Sequence, residues 1–227
     1  MANQRNSSEF FEYLISHSKE NPDETRLPSL SDLSIRLDIS VARLREQLEA
    51  AKTLGLVEVR PRTGIKNLPY TFYDAIWHSL SYAIEIDHAY FNKFASLRRH
   101  VEMAYWYEAV VKLTQEDREA LKELITQARK KLGGIPPRVP HEEHRGFHLL
   151  IFRRLENPFV QGILESYWSA YESIGLSLYT DIKYLEEVWS FHEQMVDAIC
   201  SGDYDAGYQA LTQHTDLLHH VLDREVK

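Results

Sequence analysis

A single cysteine, Cys200, stands among the 227 residues, so no disulfide can form within the chain and a hydrophobic core must hold the fold. A lone thiol suits a reducing cytoplasm. Glycine and proline are sparse, at nine and eight, which excludes a collagen-like or low-complexity chain. No run approaches the roughly 18 apolar residues that a membrane-spanning helix needs. The first twenty residues are polar and acidic, ending in Ser16-His17-Ser18-Lys19-Glu20, and do not read as a secretory signal. The expectation is a cytoplasmic protein with no membrane partner, long enough for two domains.

What is present is unevenly spread. The net charge is -8, which looks unpromising for a nucleic-acid partner. Yet Arg26 to Lys66 carries eight Lys/Arg against five Asp/Glu, whereas Asn67 to Lys227 carries sixteen against twenty-four. A basic module ahead of an acidic one suggests that only the first part meets phosphate.

Hydrophobic spacing divides the chain the same way. Phe10, Phe11, Leu14 and Ile15 mark a first amphipathic helix over 8–17, ended by Asn21-Pro22-Asp23. Leu30, Leu33 and Leu37 follow Ser29, a ready N-cap, and Ser40 caps a further helix carrying Leu44, Leu48 and Ala51 on one face. Gly55 stops that helix. Residues 56–59 and 65–68 then flank the basic turn Arg60-Pro61-Arg62-Thr63-Gly64, a hairpin pattern. Helix, helix, turn, helix, hairpin is the order of a winged helix-turn-helix, assigned here to 1–68. Beyond Pro69 the period is helical throughout. Helices are expected near 72–86, 88–112, 115–132, 141–156, 159–180, 184–201 and 204–223, an all-α antiparallel bundle over 69–227. Trp77, Trp106, Trp168 and Trp189 are read as its core.

In a helix-turn-helix the second helix enters the major groove by its first turn. With Leu44, Leu48 and Ala51 inward, Val41, Ala42, Arg43 and Arg45 are left for DNA, and Arg60, Arg62 and Lys66 lie on the wing. Arginine reads guanine bidentately or grips phosphate. The competing reading is an ordinary solvated basic face.

The run from Leu27 to Gly64 resembles the winged helix of GntR-type bacterial regulators. Leu27-Pro28-Ser29, Leu33, Leu37, Ser40, Arg45-Glu46, Leu48, Gly55-Leu56-Val57 and Gly64 fall in register with their pattern. The resemblance implies operator DNA as partner, a homodimer, and DNA contacts from Ser31 and the start of the recognition helix. It also shows departures. The family usually carries arginine or a related polar residue at Ser31, arginine at Val41, and Thr-Pro at Ala42-Arg43. Arg45 keeps a DNA-contacting position, and Arg43 stands where it can replace the arginine missing at Val41.

Eleven histidines are many for this length. His144 and His148 lie four apart, so their rings leave one face of a predicted helix. Spacing alone leaves open a metal pair or ordinary core or surface histidines. His141, His219 and His220 are read as surface or helix-end residues.

The C-terminal part is similar to the helical sensor, or FCD, domain of the FadR subgroup. The matching pieces are Leu97-Arg98-Arg99 with Glu102, His144-Arg145-Gly146-Phe147-His148, Asn157-Pro158, His192-Glu193, Ala198-Ile199, Ser201-Gly202-Asp203 and Ala210 with His214. The resemblance implies one divalent metal held by His148, His192 and His214, with His144 where relatives carry aspartate. Four imidazoles favour zinc or nickel over manganese or magnesium. Alternatively, His144 points away and Glu143 or water completes the set. Arg98 matches a family arginine near the effector pocket, where it would pair with a carboxylate; a structural salt bridge to Glu102 competes. Tyr105 is a second effector candidate, or a core tyrosine.

These readings together describe a ligand-responsive repressor that binds a transition metal and a small organic acid and is not an enzyme. A direct metal sensor is the alternative. A metal-dependent hydrolase is the remotest, since there is no well-placed general base apart from Glu142, Glu143 or Glu193 and the DNA-binding module would go unexplained.

Overall fold

The computed structural model describes residues 8–175 and 181–225. They fall into two compact units, one reaching His78 and the other starting at Ser79. The fold is mainly α, as expected, with a winged helix-turn-helix ahead of a helical bundle.

The first unit is built from α1 (Glu9–Glu20), α2 (Leu30–Leu37), α3 (Val41–Thr53) and the hairpin β1 (Val57–Arg60) and β2 (Gly64–Asn67). Serine begins each helix. The hydroxyls of Ser8, Ser29 and Ser40 accept from the amides of Phe11, Asp32 and Arg43, satisfying donors that have no partner inside the helix. Between α2 and α3, Asp38 takes a left-handed conformation (φ 52°). After α3, Gly55 does so at φ 70°, where a Cβ would also strike the Asp74 carboxylate. Strands β1 and β2 pair antiparallel from Val57↔Asn67 to Arg60↔Gly64, and a bridge from Arg26 to Lys66 extends the wing. Phe10, Leu14, Leu27, Leu33, Leu44, Leu48, Ala51, Val57 and Ile65 form one core, so the residues predicted to face inward from α3 do so.

The second unit takes most of α4 (Tyr73–Ile86), then α5 (Ala89–Val111), α6 (Gln115–Leu132), α7 (His141–Phe152), α8 (Pro158–Ser173), α9 (Ile182–Ser201) and α10 (Tyr204–Glu225). Helix α10 packs on α9 and α5, α6 on α9 and α7, and α5 also on α7 and α8. No helix among the described residues is long and apolar enough to cross a membrane.

Three expectations change. The helix expected over 141–156 ends at Phe152. Residues Arg153–Leu155 tighten into a 3-10 turn and Glu156 is left-handed (φ 49°). Asn157 then caps α8 with its side chain, with Pro158 in the first turn, where its missing N–H costs nothing. The helix expected over 159–180 ends at Ser173, before Gly175 at φ 79°; residues 176–180 lie outside the described set. Trp106, Trp168 and Trp189 are buried, but Trp77 is only half-buried, belongs to the first unit and stacks on Tyr73.

One close approach in the bundle is testable. A Cβ on Gly207 would lie 2.6 Å from Trp106 Cζ2 and 3.3 Å from Ala198 Cβ. Trp106 cannot retreat, being wholly buried and donating its indole N–H to the Tyr204 carbonyl at 2.9 Å. Gly207→Ala is therefore expected to destabilise the bundle by about 1–2 kcal/mol, because overpacking outweighs the roughly 1 kcal/mol gained in helix propensity. Denaturant unfolding followed by far-UV circular dichroism checks the sign.

Candidate metal centre

Three helices of the second unit bring four histidines together. Helix α7 supplies His144 and His148 one turn apart, α9 supplies His192, and α10 supplies His214. Each of the last three lies on its helix's apolar stripe: His148 beside Phe147 and Ile151, His192 between Trp189 and Met195, His214 a turn beyond Ala210 and Leu211. One nitrogen from each ring lies within 4.8 Å of those of the other three. His148 Nε2 is 3.2 Å from Nε2 of both His192 and His214. Two nitrogen ligands of one tetrahedral ion, with bonds of about 2.0–2.1 Å, stand about 3.3 Å apart. The nearest pairs are thus already at ligand spacing.

The electrostatics agree. Burial holds all four imidazoles well below the usual histidine pKa, assisted at His148 by the Arg98 charge and at the other three by neighbouring imidazoles. They are neutral at physiological pH, the state in which a ring nitrogen can offer its lone pair. His144 Nε2, His192 Nδ1 and His214 Nδ1 are buried without a hydrogen-bond partner, an arrangement that costs about 1–3 kcal/mol per group if nothing else engages it. A purely structural core would be better served by apolar side chains. The donor set, its spacing and the unpartnered Nε2 of His144 fit a divalent transition ion.

Carboxylates stand outside this set. Glu143, the alternative fourth donor, is held by Lys131 at 2.7 Å, while His144 stacks edge-on against Trp168 and His192 within the cluster. Glu193 is taken bidentately by Arg129, at 2.6 Å on each oxygen. His141 bonds Glu172 at 2.7 Å and stacks on Tyr171; the side chains of His219 and His220 lie outside the described residues.

Arg98 and Glu102 lie on the core face of α5, in the same stripe as Phe91, Ala95, Trp106 and Ala109. They are 3% and 0% exposed, and the salt bridge expected between them is present. Arg98 Nη2 is 2.7 Å from Glu102 Oε1 and also 2.7 Å from His148 Nδ1, and its N–H is aimed at the histidine. Both carboxylate oxygens therefore lack an aligned hydrogen bond. Burial raises the Glu102 pKa against the pull of Arg98 and His214. The guanidinium also lies 4.7 Å over the Tyr167 ring and 5.7 Å over Trp168. Glu102 and Trp168 went unrecognised as neighbours of the cluster. The stripe along α5 was the available signal for Glu102. Tyr105 is partly buried against the core, and Asn157 Nδ2 donates to its hydroxyl at 3.5 Å; no contact described for it reaches the four imidazoles.

In the first unit, Val41, Ala42, Arg43 and Arg45 are exposed at the start of α3, Ser31 is exposed on α2, and Arg60, Arg62 and Lys66 are exposed on the hairpin. Two of the cations have acidic neighbours: Arg43 meets Glu9 at 2.6 Å, and Arg60 meets Glu58 at 2.6 Å. The Ser31 hydroxyl shares a hydrogen bond with Ser29 at 2.8 Å.

The FCD domain model matches residues 94–217, a span that includes all four histidines, Arg98 and Glu102. Among solved structures, a GntR protein of Streptococcus agalactiae superposes with a TM-score of 0.69 at 17% identity, covering 94% of this chain and 98% of the other. McbR/YncC of E. coli follows with a TM-score of 0.54 at 16% identity, covering 97% and 99%. At these identities the likeness is one of fold. No curated protein matches the sequence significantly. The chain belongs to the FCD domain family and, with a winged helix-turn-helix ahead of that domain, has the architecture of a GntR-type transcription regulator.

Proposed function

We propose that this protein is a ligand-responsive repressor, in which residues 1–68 bind operator DNA as half of a homodimer and residues 69–227 bind a divalent metal and a small organic acid. The observation that carries the reading is the buried four-histidine cluster inside an FCD domain that follows a helix-turn-helix. His144, His148, His192 and His214 are the residues that would hold the ion, zinc or nickel being favoured by an all-imidazole set. When bound, such an ion supplies a Lewis-acid position for a carboxylate. The four ligands bring no charge to balance it, and the Glu102 charge is offset by Arg98, so an anionic effector suits the site. Arg98 is the second anchor for that anion, and Tyr105 is kept as a more distant candidate.

For DNA, Arg43 and Arg45 at the first turn of α3 are the base-reading candidates, with Val41, Ala42 and Ser31 beside them. Arg60, Arg62 and Lys66 grip the backbone or minor groove from the wing. The effector acts by binding the DNA-competent and DNA-incompetent states with different affinity; otherwise it shifts nothing.

The test is fluorescence anisotropy with DNA from beside the protein's own gene, compared with random DNA of the same length. Specific binding is expected, weakened by metal plus carboxylic acids. Arg45→Ala is expected to weaken it about 5- to 150-fold, the range for losing one good base contact of about 1–3 kcal/mol, without lowering the melting temperature. Equal affinity for both DNAs would overturn the proposal. Operator binding that responds to zinc or nickel alone would make the protein a direct metal sensor.

A further inference from the structure

We infer that Glu102 is the positioning residue for His148: it accepts the Nδ1 proton of this imidazole when Nε2 is committed to a metal ion, and Arg98, which holds the same nitrogen in this structure, then releases it. The inference rests on the metal reading of the four-histidine cluster and adds two alternative arrangements of the side chains behind it.

His148 Nδ1 has two polar neighbours, Arg98 Nη2 at 2.7 Å and Glu102 Oε1 at 3.2 Å. Guanidinium only donates. With the Arg98 N–H aimed at it, Nδ1 must be the acceptor. A neutral imidazole has one proton, which is then on Nε2. That nitrogen faces Nε2 of His192 and of His214, both at 3.2 Å, and can donate to only one of them. The arrangement is self-consistent but cannot ligate, because a protonated Nε2 has no lone pair to give.

Ligation through Nε2 requires the other tautomer, with the proton on Nδ1. The Arg98 contact then sets donor against donor at 2.7 Å, which cannot persist. Glu102 Oε1 is the acceptor already in reach among the described residues, and it has no aligned hydrogen bond to give up. The proton count on the ring does not change: one leaves Nε2 and one arrives at Nδ1. A carboxylate behind a ligating histidine fixes ring orientation and raises its basicity, and its loss typically costs 10–100-fold in metal affinity.

Arg98 does not leave the site when it lets go. Its charge stays paired with Glu102 and its plane stays over Tyr167 and Trp168. Its Nη2 proton is freed, and its Nε is already buried without a partner. Two donors on one guanidinium are what a carboxylate takes in a forked contact. Metal occupancy at His148 and carboxylate binding at Arg98 are thereby coupled, and by linkage each favours the other.

The experiment is long-range proton–nitrogen NMR on the full chain with nitrogen-15 histidine, before and after zinc, with the His148 signals assigned by their loss in His148→Gln. The expected result is Nε2–H without metal and Nδ1–H with zinc, the Nδ1 proton resonating downfield on the Glu102 carboxylate and moving upfield in Glu102→Gln, a shift that a merely structural Glu102 would not produce. Zinc titrations by calorimetry should show Glu102→Gln weakened by about 10- to 100-fold. Zinc bound at the cluster with the His148 tautomer unaltered would overturn the inference and leave the metal reading standing. Failure of zinc to bind would overturn both. The tautomer measurement uses the native protein, so it survives a variant that fails to fold.

Discussion

A His148→Ala, His192→Ala double variant is expected to purify without metal, whereas the parent chain carries about one equivalent of zinc or nickel, the load of a single site. Plasma mass spectrometry of dialysed protein is the measurement. The expectation follows from the centre of the cluster: His148 Nε2 is the atom at 3.2 Å from both His192 and His214, so its loss removes the hub and a second loss leaves only a pair. The effect should exceed the 10–100-fold reduction that follows loss of an outer partner. Stability supplies an independent check. A ligand at 100 times its dissociation constant stabilises the folded state by about 2.7 kcal/mol, so a chelator should lower the melting temperature of the parent and leave the double variant unmoved. A parent chain that holds no metal after incubation with zinc and nickel would end the metal reading and leave Arg98 as the remaining anchor for an acid.

The second large effect is expected at Asp117, far from the histidines in role. Its carboxylate closes the capping box at the start of α6, where Thr114 and Asp117 exchange side-chain-to-backbone hydrogen bonds. It also receives Arg153 at 2.6 Å and Arg154 at 2.9 Å from the 3-10 turn after α7. It is 1% exposed. Burial raises its pKa, but the Arg154 and Thr114 hydrogen bonds and the Arg153 charge outweigh that and hold it at about 2. Asp117→Ala removes a helix cap worth about 1 kcal/mol together with charge-assisted bonds worth about 1.5–3 kcal/mol. A loss of about 2–4 kcal/mol is expected by denaturant unfolding. The pH dependence has a definite direction. The folded pKa lies below the ordinary aspartate value of 3.8, so the folded state binds fewer protons. The contribution is complete above about pH 4 and is lost as pH falls towards 2. Asp117→Asn keeps an oxygen for the Thr114 amide but should lack this acid-dependent part. Equal acid sensitivity in the two proteins would show that Asp117 does not carry it.

Much of the architecture was legible because it is decided within a few residues. Serine hydroxyls at 8, 29 and 40 cap the helices they precede, and Gly55 stops α3 by adopting a conformation other residues avoid. The inward face of α3, Leu44, Leu48 and Ala51, follows from period alone. The errors came where local pattern was equivocal. The apolar period runs on past Phe152, yet a left-handed Glu156 and the Asn157 cap begin a new helix. Trp77 has the size of a core residue but belongs to the first unit.

By itself the sequence determined the order of elements, the winged helix with its basic face, and the pairing of His144 with His148, since each depends on neighbours along the chain. Resemblance to a family, not spacing, joined His192 and His214 to that pair. Only the tertiary structure decided that the four rings converge, that Lys131 takes Glu143 and Arg129 takes Glu193, and that Arg98 and Glu102 stand behind His148 as a buried pair. The physical reason is range. A helix fixes which way a side chain leaves its own axis, but whether an arginine and a glutamate four residues apart face water or a histidine fifty residues on is settled by which helices pack against that face.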